Sequence, residues 1–308
     1  MSDLSPKIQM HATHIKKDPS AVVINVITYV LVTAFCIVCI LPFWMIIASS
    51  FSSEEAIRRS GFTLWPSVVS TYSYELLFRS PDQMIGAYIV TIALAGIGTM
   101  VGLFLISMTG YALQRRDFPL RNGIMFYIYF TSLFSAGLVP FYLLMVQTLN
   151  LRDSYFAILL PLLMSPWLIV LMKNFVKAIP HEITESGKID GAGDFRIFYA
   201  LILPNLKPAL ATIGLFLALS YWNEWYYSSL FLTSKVEYRP LQYHLYNVIN
   251  KVASLKNSVA GSNVVITDLP GETLKMATAV VATGPIILLY PFVQKYFVAG
   301  LTVGAVKG

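Results

Sequence analysis

The chain has 308 residues, with 22 Lys/Arg against 16 Asp/Glu and a formal net charge of +6. Charged residues make up 12% and hydrophobic residues 56%, so the charge share is about half the ~25% of an average soluble protein. That balance excludes a disordered chain, a coiled coil and a disulfide-stapled secreted domain, and it predicts an all-α polytopic membrane protein.

In chain order, residues 1–20 form a polar segment with Pro6 and Pro19. His11 and His14 stand at i, i+3 within it, but no thiolate lies near, so the segment reads as a solvated tail rather than a metal site. Five long charge-free runs follow: 35 residues between Asp18 and Glu54, 32 between Asp82 and Arg115, 30 between Arg121 and Arg152, 19 between Asp153 and Lys173, and 19 between Lys275 and Lys295. A bilayer core takes ~20 apolar residues as helix, so each is a predicted span. A sixth is built from the 16 uncharged residues Pro208 to Asn223, then Glu224 and a further apolar run. The predicted spans are 22–47, 84–110, 122–146, 155–174, 208–231 and 275–295.

The first run is too long for the apolar stretch of a cleaved signal, so it reads as a retained helix. Cys36 and Cys39 lie three apart in it, which is packing rather than redox chemistry. In the second span Gly98 and Gly102 make a GxxxG pair, joined by Gly96, and small residues let helices approach closely in lipid. Pro42, Pro140, Pro161, Pro166, Pro285 and Pro291 fall within or beside spans and read as kinks, with a broken helix at a binding site as the alternative. Six spans put both termini on one side. With the termini inside, 13 of the 22 Lys/Arg are cytoplasmic, which favours cytoplasmic N- and C-termini.

The spans hold almost no ionisable group, and only Glu224 approaches mid-membrane. A proton- or sodium-coupled carrier keeps such groups there. There is no GxxxxGK[ST], GxSxG or HExxH, so the chain predicts no nucleotide site, cofactor, resident metal or catalytic machinery of its own. A membrane enzyme would need a cluster of ionisable residues at one surface; a channel or secondary carrier would need no large cytoplasmic loop.

Such a loop joins spans four and five. Pro180 stops the fourth helix; His181 to Ile189 suits a short amphipathic helix; Asp190-Gly191 is a turn dipeptide. Asp194 is the expected N-cap of a second helix with Phe195, Phe198 and Leu201 on one face. Apolar side chains among charged ones mark either a docking surface or a loop that folds back on the bundle.

The order Glu185-x4-Asp190-Gly191-Ala192-x5-Phe198-x4-Leu203-Pro204 resembles the EAA loop of ABC-importer permeases, E-A-A-x-x-D-G-A-x5-F-x4-L-P, spacing for spacing. Tyr221-Trp222-Asn223-Glu224-Trp225 is similar to the family's W-N-[ED]-aromatic segment, and the ending Gly300-Leu301-Thr302-Val303-Gly304-Ala305-Val306-Lys307-Gly308 to its G-L-x-x-G-A-x-K-G. Together they resemble the maltose-type carbohydrate permeases, in the smaller of the paired subunits, and most of all the Gram-positive branch that handles complex oligosaccharides. One departure is that Ser186 and Gly187 replace the two alanines; an interior glycine costs ~1 kcal/mol, so the first loop helix is expected to be weak.

The resemblance implies an ABC type I importer permease fold: a tail at 1–20, a first helix and outer loop at 21–83, a five-helix core at 84–295 with the EAA loop at 176–207, and a C-terminal tail at 296–308. It implies a second homologous permease, two ATP-binding-cassette ATPase subunits, an extracytoplasmic sugar-binding lipoprotein, a sugar or oligosaccharide substrate, and a bacterial plasma membrane rather than nucleic acid. Glu185, Asp190, Gly191, Ala192, Phe198 and Pro204 would couple to the ATPase, and Gly300, Gly304 and Lys307 would reach its interface. Trp222, Asn223, Glu224 and Trp225 have two readings, an interfacial aromatic belt or a substrate path in which aromatic faces and polar groups meet a sugar.

Overall fold

The first charge-free run forms one continuous helix, α1 (Pro19–Ser50), about 48 Å long at 1.5 Å per residue. Its side chains stay largely exposed, as a lipid-facing helix requires. The computed structural model describes residues 19–233, 237–260 and 270–305. His11 and His14 lie outside them. Among the described residues every element is helical, apart from a single bridge between Ser52 and Val69.

Two short helices, α2 (Glu54–Ser60) and α3 (Tyr72–Leu77), lead to α4 (Pro81–Gln114). α1 and α4 are each long and apolar enough to cross a membrane. Glycine decides where α4 meets its neighbours. A Cβ on Gly98 would fall 2.3 Å from the Tyr221 ring, and one on Gly110 2.7 Å from Met172 Cγ. At Gly102 it would sit 3.0 Å from the Leu163 carbonyl and 3.1 Å from Leu217. Gly96 faces open space, so the expected third member of the stripe takes no part in close packing.

The next three expected spans are broken rather than kinked. The third is α5 (Arg121–Leu133), a turn, and α6 (Leu138–Leu143) running into a π-helical segment, Leu144–Thr148; the two arms are bent by 114°. Gly137 at φ 88 permits that turn. The fourth is α7 (Phe156–Leu163) and α8 (Pro166–Lys177), bent by 43° where Pro166 holds Ser165 extended at ψ 127. Two short helical stretches, α9 (Glu182–Ile189) and α10 (Asp194–Arg196), form the connecting loop. α10 runs on as a π-helical segment, Ile197–Ile202, into α11 (Leu203–Asn205). The fifth span is α12 (Lys207–Trp222) and α13 (Tyr226–Phe231), where one helix over 208–231 was expected.

A further helix, α14 (Leu241–Ala260), lies where only a loop was expected. Its sequence is too polar for a span, which hid it. The last helix, α15 (Glu272–Ala305), runs past the expected limit of 295, so Gly300 and Gly304 belong to its final turns rather than to a separate tail. Lys307 lies outside the described residues.

α4 packs against α8 and α12, and α1 packs along α15. The main apolar cluster joins Ile106 of α4, Leu168 and Met172 of α8, and Ile213 and Leu217 of α12 to Ile197, Phe198, Ile202 and Leu206 of the loop. The start of α15 is held from outside its own chain segment. The Glu54 carboxylate accepts the backbone N–H groups of Glu272 and Thr273 and the Thr273 hydroxyl, satisfying donors that a helix start leaves open.

Candidate functional site

α9 ends as its sequence dictates. Asp190 caps it, Gly191 turns left-handed at φ 73, and two reverse bonds close the end. The Ala192 N–H donates to Gly187 O at 2.9 Å and the Gly191 N–H to Lys188 O at 3.0 Å, the paired pattern of a Schellman stop. A Cβ on Gly191 would meet nothing within 4 Å, so only the backbone conformation demands glycine there.

Gly187 has another use. A Cβ on it would lie 2.8 Å from Leu201 Cδ1 and 3.0 Å from Ile197 Cγ1. α9 crosses the π-helical segment at this residue, and the helix runs unbroken through Ile189. The propensity lost at glycine is set against a close contact that a larger side chain would push apart.

The second half of the loop belongs to the core. Phe198 is 1% exposed, with its ring 5.6 Å from that of Tyr111 and 6.2 Å from that of Phe104. Phe195, expected on the same face, is 62% exposed. Ile189 and Tyr199 are exposed as well. The loop therefore has one face folded into the bundle and one apolar face left open, and the two sequence alternatives describe its two sides. Asp194 is not the N-cap. Gly193 holds that position, and the Asp194 carboxylate instead meets Arg115 Nη1 at 2.8 Å.

That contact belongs to a clasp that the sequence did not announce. Arg115, just beyond α4, reaches Asp117 through Nε at 2.9 Å and Nη2 at 2.6 Å, and Asp194 through Nη1. Lys188 Nζ on α9 reaches the same Asp117 at 2.7 Å. Hydrogen bonds from Arg115, then from Lys188, hold the Asp117 carboxyl well below the usual carboxylate range. Asp117, in turn, pushes the Arg115 guanidinium further up. Between the clasp and α9 lies an open groove of about 770 Å³, with Arg116, Lys177, His181, Glu182 and the exposed Glu185 on its walls. Pro204 sits at the start of α11, where the chain turns by 85° into α12.

At the far end of α12 the four-residue aromatic-acidic segment divides. Trp222 points inward: its indole N–H donates to Ala282 O at 3.0 Å, and its ring lies 6.5 Å from that of Tyr88. Glu224 is 7% exposed and turns back on the chain, accepting from the N–H groups of Tyr227 and Ser228 and from the Ser228 hydroxyl. Those bonds cap α13 and explain why the helix breaks. Asn223 and Trp225 face outward. The Asn223 side-chain oxygen is 3.5 Å from the Gln242 amide, and the Trp225 ring lies 5.0 Å from that of Tyr246 on α14. Among the described residues no group of His, Cys, Asp and Glu could hold a metal ion.

Residues 98–303 match the family described as "Binding-protein-dependent transport system inner membrane component". The chain is 38% identical over 286 residues to the polygalacturonan/rhamnogalacturonan transport system permease protein YtcP of Bacillus subtilis (strain 168), covering 92% of this chain and 98% of that one. It is 35% identical to protein LplC of the same organism, over 87% of this chain and 90% of the relative. Among solved structures, a bacterial ABC transporter involved in the import of the acidic polysaccharide alginate contains a chain that superposes with a TM-score of 0.74 at 30% identity, covering 91% of this chain and 98% of that chain.

Proposed function

The chain belongs to the family of binding-protein-dependent transport system inner membrane components, and from that membership we propose that it forms, with a second homologous permease, the path by which an oligosaccharide crosses the membrane. It is an integral membrane component of an ABC importer, a transporter subunit rather than an enzyme. The complex would comprise the two permeases, two ATPase subunits and an extracytoplasmic binding protein. The named substrates of YtcP and of the alginate importer support oligosaccharides of acidic polysaccharides as the first class to test.

The observation that carries the coupling role is the two-sided loop. Glu185, Asp190, Gly191 and Ala192 stand on a stub whose base, Phe198 to Pro204, is continuous with the packed core. ATP-driven closure of the ATPase pair would push on the open face, and the buried face would carry that displacement into α4, α8 and α12 as a rigid-body step. Gly300, Gly304 and Lys307 would reach the same ATPase interface. The break at Trp222, Asn223, Glu224 and Trp225 would be this subunit's part of the substrate path.

The Lys/Arg distribution supports cytoplasmic termini and a cytoplasmic α9. Two single-cysteine variants lacking Cys36 and Cys39 test that orientation in intact cells. Ser60→Cys should react with an impermeant maleimide and Ser186→Cys only after permeabilisation; the reverse pattern overturns the assignment. The function itself is tested by isolating the chain from its native membrane. Co-purification of a second permease and an ATPase, with ATP-dependent uptake of oligogalacturonide or maltotriose in proteoliposomes, is the expected result. Uptake without ATP overturns it.

A further inference from the structure

α14 is too polar to be a span, yet it reaches well into the bundle. The Leu241 N–H donates to Thr91 Oγ1 on α4 at 2.7 Å, and a Cβ on Gly86 would overlap the Tyr238 ring. The neighbouring break in the fifth span is set back from the helix ends opposite α9. Trp222 contacts Tyr88 and Ala282, and those residues lie about 10 Å and 15 Å from the starts of α4 and α15 at 1.5 Å per residue.

At that recessed level the protein presents an open face of unusual make-up. Trp225 is 43% exposed and Tyr246 42%. Their ring centroids lie 5.0 Å apart at 31°, a tilted contact between two different elements in which both rings stay partly exposed. Tyr226 stands almost perpendicular to Trp225, at 83° with centroids 6.1 Å apart, as a side wall. The Asn223 and Gln242 amides lie beside them at 3.5 Å from each other. Hydrocarbon is a poor surrounding for two side-chain amides, whose transfer from water without full pairing costs several kcal/mol. Belt residues sit at the headgroups with a polar edge toward water, whereas here two contacting rings from different elements make one aromatic shelf with hydrogen-bonding groups alongside. Ligand sites have that composition: aromatic walls with a few polar groups that fix orientation.

The geometry points to a saccharide subsite on this subunit, in which one pyranose ring stacks on the Trp225–Tyr246 shelf and its hydroxyls bond the Asn223 and Gln242 amides. Trp222 and Glu224 are positioning residues for it. Trp222 ties the end of α12 to α15, and Glu224 closes the break that turns Trp225 outward. The inference rests on the importer reading above and goes further by naming the contacting side chains and the chemistry that they recognise.

The test uses the whole complex in proteoliposomes, with trigalacturonate and maltotriose as probes. Trp225→Ala and Tyr246→Ala should each raise the half-saturating concentration for the transported probe about three- to tenfold, with the maximal rate within twofold. Trp225→Phe and Tyr246→Phe should stay close to the unaltered protein. A half-saturating concentration unchanged in both alanine variants, while the unaltered complex transports a probe, overturns the shelf and leaves the importer reading standing. Loss of the second permease from the purified Trp225→Ala complex overturns it as well, because the face is then a subunit contact. Failure of the unaltered complex to take up either probe overturns the sugar reading and the shelf together.

Discussion

Lys188 Nζ lies 2.7 Å from Asp117 Oδ2, joining α9 to the turn after α4 across 71 positions of sequence. Arg115 binds the same carboxylate and also Asp194, at the start of α10. The clasp therefore ties the two sides of the turn between α9 and α10 to the segment just beyond α4. Exposed ion pairs contribute ~0–1 kcal/mol each, so its value lies in fixing direction more than in holding the fold.

Asp117→Asn removes the acceptor shared by Arg115 and Lys188. The expected outcome is normal permease abundance and ATPase binding, with uptake per ATP hydrolysed reduced about two- to fivefold. In the unaltered complex the same ratio should fall as salt rises from ~0.1 M to ~1 M, where the screening length shrinks from ~10 Å to ~3 Å, and the variant should respond less. Acidity acts differently. The folded carboxyl titrates below its unfolded value, so its contribution is complete above the unfolded pKa of ~3.9 and is lost only as pH falls through the lower folded value. Between pH 5 and 8 the clasp should impose no pH dependence, so a coupling ratio that changes equally in Asp117→Asn and the unaltered complex across that range has another source.

Gly191 separates conformation from contact. Its Cβ direction is open, so any penalty for a larger residue comes from φ 73 and is ~1–2 kcal/mol for an ordinary side chain. Gly191→Val should reduce ATPase co-purification and uptake together. Gly191→Asn, which tolerates the left-handed region, should retain most of both. Full activity in Gly191→Val would show that the stop of α9 does not matter to docking.

Trp222 and Glu224 should act through the elements they hold in place. Trp222→Ala empties a buried site and removes the indole bond to the Ala282 carbonyl, a change in the range of ~3–5 kcal/mol. Lower abundance and a lower melting temperature in detergent should precede any change in saturation. Glu224→Gln keeps an acceptor oxygen but can satisfy only part of the α13 cap, and should raise the half-saturating concentration more than it lowers the maximal uptake rate. Thermal stability of purified protein and uptake normalised to abundance check both.

The α4 glycines give a paired control. Gly110→Val drives a side chain against Met172 and the Lys173 backbone nitrogen, 3.1 Å from the added carbon, and should cut folded yield severely. Gly96→Ala enters open space and gains helix propensity of ~1 kcal/mol, so its melting temperature should equal or exceed that of the parent. A stable Gly110→Val would place α8 farther from α4 than it lies here.

The membrane character was legible because charge is excluded from lipid whatever the packing, and α1 and α4 follow directly from their uncharged runs. The stop of α9 was legible because Asp190-Gly191 encodes a local conformation. The breaks in spans three to five were hidden, since a proline or an internal glutamate reads alike in a kink and in a full interruption. The clasp was hidden for another reason: Arg115 and Asp117 follow the second span, Lys188 and Asp194 lie beyond the fourth, and no local pattern brings them together. Phe195 and Phe198 look equivalent at three-residue spacing, but packing of the π-helical segment buries only the second.

Glu54 has a mechanical consequence for α15. Its carboxylate grips the first two residues of that helix, while Ser73 bonds Thr273 from α3 at 2.9 Å. A rod tied at that tip, and again at Ala282 by the Trp222 indole, can swing beyond the second tie but cannot slide. Any displacement delivered to the Ala305 end should therefore appear as an arc about Ala282, growing in proportion to distance from it, with almost no motion between Thr273 and Ala282. Spin labels placed along α15 would then report separations that change progressively from Ala282 to Ala305 instead of by a common offset.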